Sequence, residues 1–366
     1  DAERGGQGSG FPAGAGQGRA ILWCCSCECR GTWHSRHEAG AAIVPRALVP
    51  PAPFTRSRPN RLRPLLRGAA KAAIVASFAV PLLRRRYPVP VSLTVASAAA
   101  GPFAVAILNR RTRTRDAFLF FHQMWAFIMV HELPYDEPER LRARLRIRYP
   151  VRIDRAIGAG RLPNSRLQQA LMRPNEPITP LDRALTFAHW AWFIEPHASL
   201  LFILVRDEAR FVRAARQMAA AFDLGCAAYI AFPTAPPWWA AEHGYTGDDQ
   251  VHRRMIDVGE EVWGRAWPKL YNSVDGNPWA AMPSLHFGAS VLTAILLSET
   301  SPRAAVAGWT YAGVLGFALV YLGEHYVIDL IAGLGLVALV RLGEPLAEPL
   351  SMAVSRGVQR LEQLAA

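Results

Sequence analysis

The feature that most constrains this chain is a series of long apolar segments that contain very few charged residues. They cover 68–83, 89–108, 117–130, 184–205, 218–232, 287–298, 304–322 and 326–340. Several approach the ~20 residues that an α-helix needs to cross the hydrocarbon core of a bilayer. Tryptophan and tyrosine stand near several of their ends, which is typical of the membrane surface. The pattern predicts an all-α, polytopic helical membrane protein.

The net charge of +12 comes almost wholly from arginine, since Lys71 and Lys269 are the only lysines. The arginines stand in short blocks between the apolar segments. A nucleic-acid-binding protein gathers its cations on one face instead, so we do not expect nucleic acid as a partner. Arginines that flank membrane spans are placed to meet anionic lipid head groups. Membrane lipids are therefore the expected partners, and the sequence does not indicate an oligomeric state.

Residues 1–60 are rich in glycine, proline, alanine and arginine and show no periodicity. We interpret them as a disordered segment or an artefact of the assigned start. Four of the five cysteines lie within 24–29, followed by His34 and His37. Because their spacing fits no paired C-x-x-C zinc knuckle, we expect no metal site there. No cofactor is predicted either.

The rest of the chain divides by composition into four parts. Residues 65–131 hold the N-terminal transmembrane spans, and 132–180 form a basic segment that separates them from a second membrane region at 181–342. Residues 343–366 are a C-terminal tail. Within 141–148, apolar residues alternate with arginine, which is a strand pattern in water. Beside a membrane, a basic amphipathic segment that lies on the surface explains it equally well.

Two histidines carry the chemistry of the second membrane region. His286 ends the sequence Pro-Ser-Leu-His, and His325 precedes Asp329 by four residues. On a helix, that spacing places the imidazole and the carboxylate on one face, one turn apart. The carboxylate would orient the ring and select its tautomer, as a nucleophile or base requires. A second histidine nearby would serve as the general acid. The alternative is a pair of core histidines with a helix-capping aspartate.

The order of the apolar segments indicates that the two histidines can meet. Two spans separate His286 from His325, so both lie on one side of the membrane. The opposite side is flanked by Arg110, Arg111, Arg113, Arg115, Arg206, Arg210, Arg213 and Arg216. Positive-inside counting makes that side cytoplasmic, which puts the histidines on the far side of the cell membrane. The arginines at 84–86 and 140–173 oppose this orientation.

These motifs resemble the type 2 phosphatidic acid phosphatase superfamily, and most closely its inositolphosphotransferase branch, typified by fungal inositol phosphorylceramide synthase. The resemblance rests on Pro-Ser-Leu-His, on His-Tyr-x-x-Asp about forty residues later, on Gly333 and on the segment Phe-Pro-Thr-Ala-Pro-Pro-Trp-Trp at 232–239. It extends over about 184–340. It implies a six-helix catalytic membrane core with one or two extra N-terminal spans.

The resemblance also implies roles for four residues. His325 would attack phosphorus to give a phosphohistidine, and Asp329 would hold the other ring nitrogen. His286 would protonate the leaving alcohol and then deprotonate the acceptor. Ser284 and backbone N–H groups at the start of the following helix would bind phosphate oxygens. An unpaired carboxylate inside a span is costly, and this favours a functional pairing for Asp329.

The sequence departs from the superfamily pattern where phosphate-binding cations are expected. Leu319 replaces an arginine six residues before the second histidine, Leu285 replaces a glycine, and no Lys-x6-Arg-Pro element precedes Pro283. Such cations normally stabilise the phosphoryl transition state. The candidate replacements are Arg253, Arg254, Arg265 and Lys269. Each is alternatively a lipid-facing or solvated charge.

Ionisable residues within a membrane segment are also candidates for function. His189, Glu195 and His197 share the segment 184–205, which Pro196 is expected to kink. We select His197 as an accessory substrate contact. Either histidine would alternatively bond a carbonyl that the kink leaves free.

The sequence thus predicts a membrane-embedded phosphotransferase that moves a phosphorylated head group, with inositol phosphate as the candidate, from a phospholipid to a lipid hydroxyl. The first alternative is a lipid phosphate or polyprenyl-pyrophosphate phosphatase, which uses water as the acceptor. The second is a non-catalytic membrane scaffold, because the expected arginine is missing at position 319.

Overall fold

The computed structural model describes residues 62–133, 138–172, 178–274 and 277–366, and these residues form helices without any named strand. The predictions for 1–60, including the cysteine cluster, fall outside the described residues. The helices are α1 (Leu62–Arg84), α2 (Val91–Leu108), α3 (Arg113–His131), α4 (Pro138–Arg142), α5 (Arg148–Ile157), α6 (Pro163–Leu171), α7 (Pro180–Ala191), α8 (Glu195–Arg206), α9 (Glu208–Ala231), α10 (Pro237–Glu242), α11 (Arg254–Trp263), α12 (Trp267–Val274), α13 (Leu285–Ser298), α14 (Pro302–Tyr321) and α15 (Val327–Ala365).

The apolar segments coincide with helices, which confirms the prediction of an all-α polytopic membrane protein. Within the described part of the chain, α1, α2 and α14 are long and apolar enough to cross a membrane. The apolar helix α13 has 14 residues and is shorter. The long apolar helices α1 and α2 pack against each other, and α14 packs against α13.

The segment 184–205 forms two helices rather than one continuous span. Helix α7 ends at Ala191 and α8 begins at Glu195. Pro196 stands in the first turn of α8. Backbone N–H groups there have no partner within the helix, so the N–H group that proline lacks costs no hydrogen bond. Tight backbone bonds cross the break, from Trp192 N–H to the His189 carbonyl at 3.2 Å and from Ile194 N–H to the Ala191 carbonyl at 3.0 Å. The break therefore lies beside a proline, as the sequence suggested.

The alternating segment 141–148 does not form a strand. Helix α4 ends at Arg142, α5 begins at Arg148, and Arg146 makes one isolated bridge to Thr234. Thr234 in turn pairs with Ala280, through its N–H group and the Trp279 carbonyl at 2.8 Å. These short pairings join the basic segment to two loops, one that precedes α10 and one that precedes α13.

Helix α6 holds the loop between α14 and α15 in place. The side-chain amide of Asn164 donates to the carbonyls of Val320 and His325 at 2.8 and 2.9 Å. Gln168 donates to the carbonyl of Tyr321 at 2.8 Å. Asn164 is fully buried and Gln168 nearly so. Carbonyls at the end of a helix otherwise lack partners, so these amides both satisfy the end of α14 and position His325.

Helices α13 and α15 approach each other closely at two glycines. A side chain at Gly333 would lie 2.7 Å from the Ser284 carbonyl oxygen, and one at Gly288 would lie 3.1 Å from the Gly333 carbonyl oxygen. Small residues allow membrane helices to pack backbone to backbone. Because α13 contains His286 and α15 follows His325, this contact sets the distance between the two motifs. Residues of α13 and α15 also belong to one buried apolar cluster with residues of α3, α8, α9 and α14.

Candidate active site

The two predicted histidines are in direct contact. Nδ1 of His286 lies 3.2 Å from Nε2 of His325, and the ring centroids are 5.4 Å apart. His286 is the second residue of α13, and His325 stands two residues before α15. The prediction that both histidines lie on one side of the membrane therefore agrees with their placement.

Asp329 contacts the other nitrogen of His325. Its Oδ2 lies 3.3 Å from His325 Nδ1 and accepts the Tyr326 N–H at 2.9 Å. The Asp329 side chain is fully buried and that of His325 is 5% exposed. Because a carboxylate only accepts hydrogen bonds, this pairing places the His325 proton on Nδ1. The lone pair on His325 Nε2 then faces His286. In the hydrogen bond between the two rings, His286 Nδ1 is therefore the donor and His325 Nε2 the acceptor.

Ser284 is the N-cap of α13. Its hydroxyl oxygen accepts the Phe287 N–H at 3.3 Å, and its own N–H donates to the Asp329 carbonyl at 2.9 Å. Tyr229 braces the same turn, since its hydroxyl donates to the Pro283 carbonyl at 2.7 Å. Ser284 is fully buried. The structure therefore gives this residue a local capping bond beside the histidines.

Asp154 of α5 supports the start of α15. Its two oxygens accept the N–H groups of Val327 and Ile328, each at 2.9 Å. These are orphan donors of a helix N-terminus, where a negative charge is also favoured. Burial raises the pKa of Asp154 to about 6, against the opposing effect of these two hydrogen bonds. The sequence gives no local signal for this contact, because Asp154 and Val327 are 173 positions apart.

His286 is enclosed by the break between α7 and α8. Its ring centroid lies 4.2 Å from that of Trp192 and 5.0 Å from that of His189. His189 is 5% exposed, and its Nδ1 has no hydrogen-bond partner among the described residues. The sequence placed His189 in an apolar segment, but it could not indicate contact with His286. The predicted accessory residue His197 instead packs against Phe120 and Phe121 of α3.

Arg253 is the predicted cation whose partner adjoins His325. Its guanidinium makes a two-pronged pair with Glu324, at 2.9 and 3.1 Å, and the two side chains are 17% and 10% exposed. It also lies 4.3 Å above the ring of Trp238 and bonds the hydroxyl of Tyr271. Burial by itself would raise the pKa of Glu324, but Arg253 outweighs it and holds that pKa below its usual range.

Gly323 forms the turn that leads into Glu324 and His325. Its φ of +80° is in the left-handed region, and an added side chain would lie 2.7 Å from the His252 carbonyl oxygen. Its own carbonyl accepts the Trp238 N–H at 3.3 Å. The turn therefore links the segment 232–239, the Arg253 loop and the residue pair Glu324–His325.

The other predicted cations have different surroundings. Arg254 is buried and pairs with Asp182 and Asp257, both at 3.2 Å. Arg265 and Lys269 are exposed on a short 3-10 turn and on α12. In the part of the chain that the structure describes, no group of three histidine, cysteine or acidic side chains is arranged to hold a metal ion.

We expect Asp154 to make the stability of the fold depend on pH. Its pKa of about 6 exceeds the ordinary 3.8, so between these values the folded protein holds a proton that the unfolded chain releases. The resulting stabilisation is present below 3.8 and is lost as the pH rises through about 6. Asp154→Asn lacks the titration, so the Tm of the wild type should fall more, or rise less, between about pH 4 and 6 than that of the variant.

The measurement is thermal unfolding of both purified proteins in detergent across that pH range. Above about pH 6, Asp154→Asn should also cost about 1–3 kcal/mol, because the carboxylate accepts both N–H groups whereas the amide can accept only one of them. Asp248→Asn, on an exposed turn, is the matched control. Parallel pH profiles for the wild type and Asp154→Asn would contradict the assignment.

Comparisons with known proteins agree with the motifs. Residues 165–342 match the family model of the PAP2 superfamily. An inositol phosphorylceramide synthase of Candida albicans is 32% identical over 116 residues, which cover 30% of this chain and 24% of that protein. The catalytic subunit of the same synthase in Schizosaccharomyces pombe is 29% identical over 108 residues, 29% of this chain and 26% of that one.

A bacterial relative extends the comparison. A phosphoinositol dihydroceramide synthase of Bacteroides thetaiotaomicron is 29% identical over 119 residues, which cover 30% of this chain and 38% of that protein. The chain therefore matches only a quarter to two fifths of the length of these relatives. No solved structure matches it significantly.

The matched region contains both histidine motifs and Asp329. The family match and the relatives confirm the resemblance inferred from those motifs and support its inositolphosphotransferase branch. They also support an enzyme of phosphotransferase or phosphatase type that is integral to the membrane. Through residues 165–342, this chain is therefore similar to the PAP2 superfamily.

Proposed function

We propose that this protein transfers a phosphorylated head group from a membrane phospholipid to the hydroxyl group of a second lipid, through a phosphohistidine on His325. One observation carries the proposal. His325 Nε2 lies 3.2 Å from His286 Nδ1, while Asp329 lies 3.3 Å from His325 Nδ1. A nucleophile, an acid–base partner and an orienting carboxylate therefore stand in line, as histidine-based phosphoryl transfer requires.

In the first step, the lone pair of His325 Nε2 attacks phosphorus, and the bond from phosphorus to the diacylglycerol oxygen breaks. His286, which is protonated on both ring nitrogens at the start of this step, gives its Nδ1 proton to that leaving oxygen and becomes neutral. Asp329 stabilises the positive charge that develops on the His325 ring. The products are a phosphorylated His325, a free diacylglycerol and a neutral His286 ready to accept a proton.

In the second step, the hydroxyl of the acceptor lipid attacks the same phosphorus. His286 takes the hydroxyl proton, the bond from phosphorus to His325 Nε2 breaks, and the starting enzyme is restored. His189 and Trp192, which pack on His286, act as positioning residues for this exchange. If water replaced the lipid hydroxyl, the same steps would hydrolyse the donor instead.

The names of the relatives suggest the substrates. By their names, an inositol phosphorylceramide synthase and a phosphoinositol dihydroceramide synthase join inositol phosphate to ceramide or dihydroceramide. We therefore propose phosphatidylinositol as the donor and a ceramide-like lipid alcohol as the acceptor. Membrane lipids are then the partners of this site, and the chemistry asks for no metal or cofactor.

The mechanism predicts a covalent enzyme intermediate. Protein incubated with phosphatidylinositol labelled on phosphorus, without acceptor, should retain label that survives alkali and is released by acid. His325→Ala should abolish this label, because the nucleophile is gone. His286→Ala should slow transfer by about 10²–10⁴-fold, the usual contribution of general acid–base catalysis. His252→Ala, whose side chain is exposed, serves as the control histidine.

The same incubation with added ceramide-like acceptor separates the candidate functions. Product that depends on the acceptor supports transfer, whereas release of inositol phosphate into water supports a phosphatase. A scaffold predicts no turnover in any protein. Full activity of His325→Ala would overturn the proposed mechanism.

We further propose that Arg253 supplies the positive charge that an arginine at position 319, where Leu319 stands, would provide. Arg253 is paired with Glu324, the neighbour of His325, so a small shift of its guanidinium would reach a phosphate beside His325. Loss of one transition-state donor typically lowers kcat by about 10²–10³-fold, so we expect a decrease of this size in Arg253→Ala, measured in the transfer assay.

A second substitution separates this role from simple neutralisation of Glu324. Arg253→Ala alone leaves the buried Glu324 carboxylate unpaired, so Tm should fall, and adding Glu324→Gln should restore Tm. If Arg253 binds phosphate, activity stays low in the double variant. Recovery of activity together with Tm would show that Arg253 only neutralises Glu324. Arg183→Ala, from an exposed ion pair with Glu261, is the matched control.

We propose that the site faces away from the cytoplasm in the cell membrane. The opposite ends of the helices carry arginines in ion pairs, such as Arg213 and Arg216 with Glu344, which supports a cytoplasmic location for that end. A cysteine introduced at the exposed Tyr245 should react with an impermeant maleimide on intact cells. A cysteine at exposed Arg303 should stay protected. The reverse pattern would overturn the orientation.

A further inference from the structure

The second half of α15 carries an apolar stripe that the other described helices leave exposed. Leu342, Leu346 and Leu350 stand four residues apart on one side of the helix and are 79%, 85% and 70% exposed. Val354 and Leu361 continue the stripe and are also exposed. We infer that residues 345–361, which we call the tail segment, lie in the plane of the membrane surface opposite to the histidines and pack this stripe on lipid.

The tail segment has the sequence pattern of a helix at the membrane surface. Its polar residues and those of its two ends stand on the other side of the helix from the leucines: Glu344, Glu348, Ser351, Ser355, Gln359 and Glu362. Arg356 and Arg360 lie along one border of the apolar stripe, from which long basic side chains reach the head groups. A helix with one apolar and one polar face typically lies in the membrane surface instead of spanning the bilayer.

The apolar stripe is too long for one membrane span. The first half of α15 exposes Ile331 and Leu339 on the same side of the helix, while Leu336 and Val340 are buried in the core. From Ile331 to Leu361 the helix measures about 45 Å, at 1.5 Å per residue. The hydrocarbon core of a bilayer is only ~30 Å thick. A helix that kept one direction through the membrane would therefore carry the last apolar residues of the stripe into water.

Ion pairs hold both ends of the tail segment. Glu344 pairs with Arg213 of α9 at 2.8 Å. Glu362 pairs with Arg115 of α3, whose side chain is buried. Between these two anchors, none of the residues 345–357 is buried, and the structure describes all of them. The tail segment is therefore fixed at its ends and open along its middle.

Both anchors lie at the same end of the helix bundle. Arg113 pairs with Glu208 at 2.5 Å, so the starts of α3 and α9 stand side by side. Arg115 and Arg213 belong to the first two turns of these helices. The stretch 344–362 measures about 27 Å along the helix axis. Because both of its ends are held near one level, it runs across the end of the bundle.

Lipid is the occupant that fits this placement. Pro345 and Pro349 stand inside α15, where prolines bend a helix. On both sides of these prolines, the exposed apolar side chains belong to one continuous face of the helix. In the first half of α15 that face borders the bilayer, so the same lipid layer covers the stripe where the helix turns into the membrane surface. The inference does not depend on the proposed transfer reaction.

Spin-label accessibility tests the inference in the whole protein. Full-length protein, with its native cysteines replaced by serine, is reconstituted in phosphatidylcholine liposomes and labelled at one position at a time. The apolar-face variants are Leu346→Cys, Leu350→Cys, Val354→Cys and Leu361→Cys, and the matched polar-face variants are Glu348→Cys, Ser351→Cys, Ser355→Cys and Gln359→Cys. Nitroxide collisions with oxygen report hydrocarbon, and collisions with a nickel chelate report water.

The expected result is a helical alternation at constant depth. Labels on the apolar face should favour oxygen and lie about 5–10 Å below the head groups, at a similar depth in all four variants. Labels on the polar face should favour the nickel chelate. If one substitution unfolds the protein, the next position on the same face carries the same test, because the stripe offers four exposed sites.

Three outcomes would contradict the inference. Nickel-accessible labels on both faces would place the tail segment in water. A depth that changes steadily by about 1.5 Å per residue would make it part of a membrane span. Strong spin–spin broadening at Leu350→Cys that persists when labelled protein is diluted with lipid would identify a second copy of the chain as the occupant. Since each readout is contact with lipid, loss of transfer activity leaves the test unaffected.

Discussion

The site depends on one backbone contact, the hydrogen bond from the Ser284 N–H to the Asp329 carbonyl. It joins the start of α13 to the first turn of α15, and Gly333 lets the two backbones approach just below it. Each helix brings one motif to this junction, so the His286–His325 distance follows from the packing of two helices. Such precision is easier to hold on rigid helices than on loops.

The polar segment between the membrane regions completes this junction. Asp154 accepts two N–H groups at the start of α15, and Asn164 holds the His325 carbonyl. Both side chains are fully buried. A buried polar group is stable only with its hydrogen bonds made, and here these bonds join α5 and α6 to the start of α15 and to His325. The segment is therefore part of the structure that supports the site.

The sequence predicted those features that depend on local spacing. His325 and Asp329 are one helical turn apart, and the count of apolar segments placed His286 on the same side. It missed Asp154 and the contact of His189 with His286, because only tertiary packing brings these residues together. All four candidate cations are arginine or lysine in one loop, and only the fold distinguishes Arg253, which is partly buried and paired with Glu324, from exposed Lys269.

The contact between His286 and His325 has a consequence for the site at rest. At 3.2 Å, the lone pair of His325 Nε2 is engaged by the proton of His286. In the proposed reaction, phosphorus reaches that lone pair only by displacing the proton, which then lies ready for the departing oxygen. The two histidines thus keep each other occupied at rest, and the arriving phosphate group itself switches on both the attack and the acid.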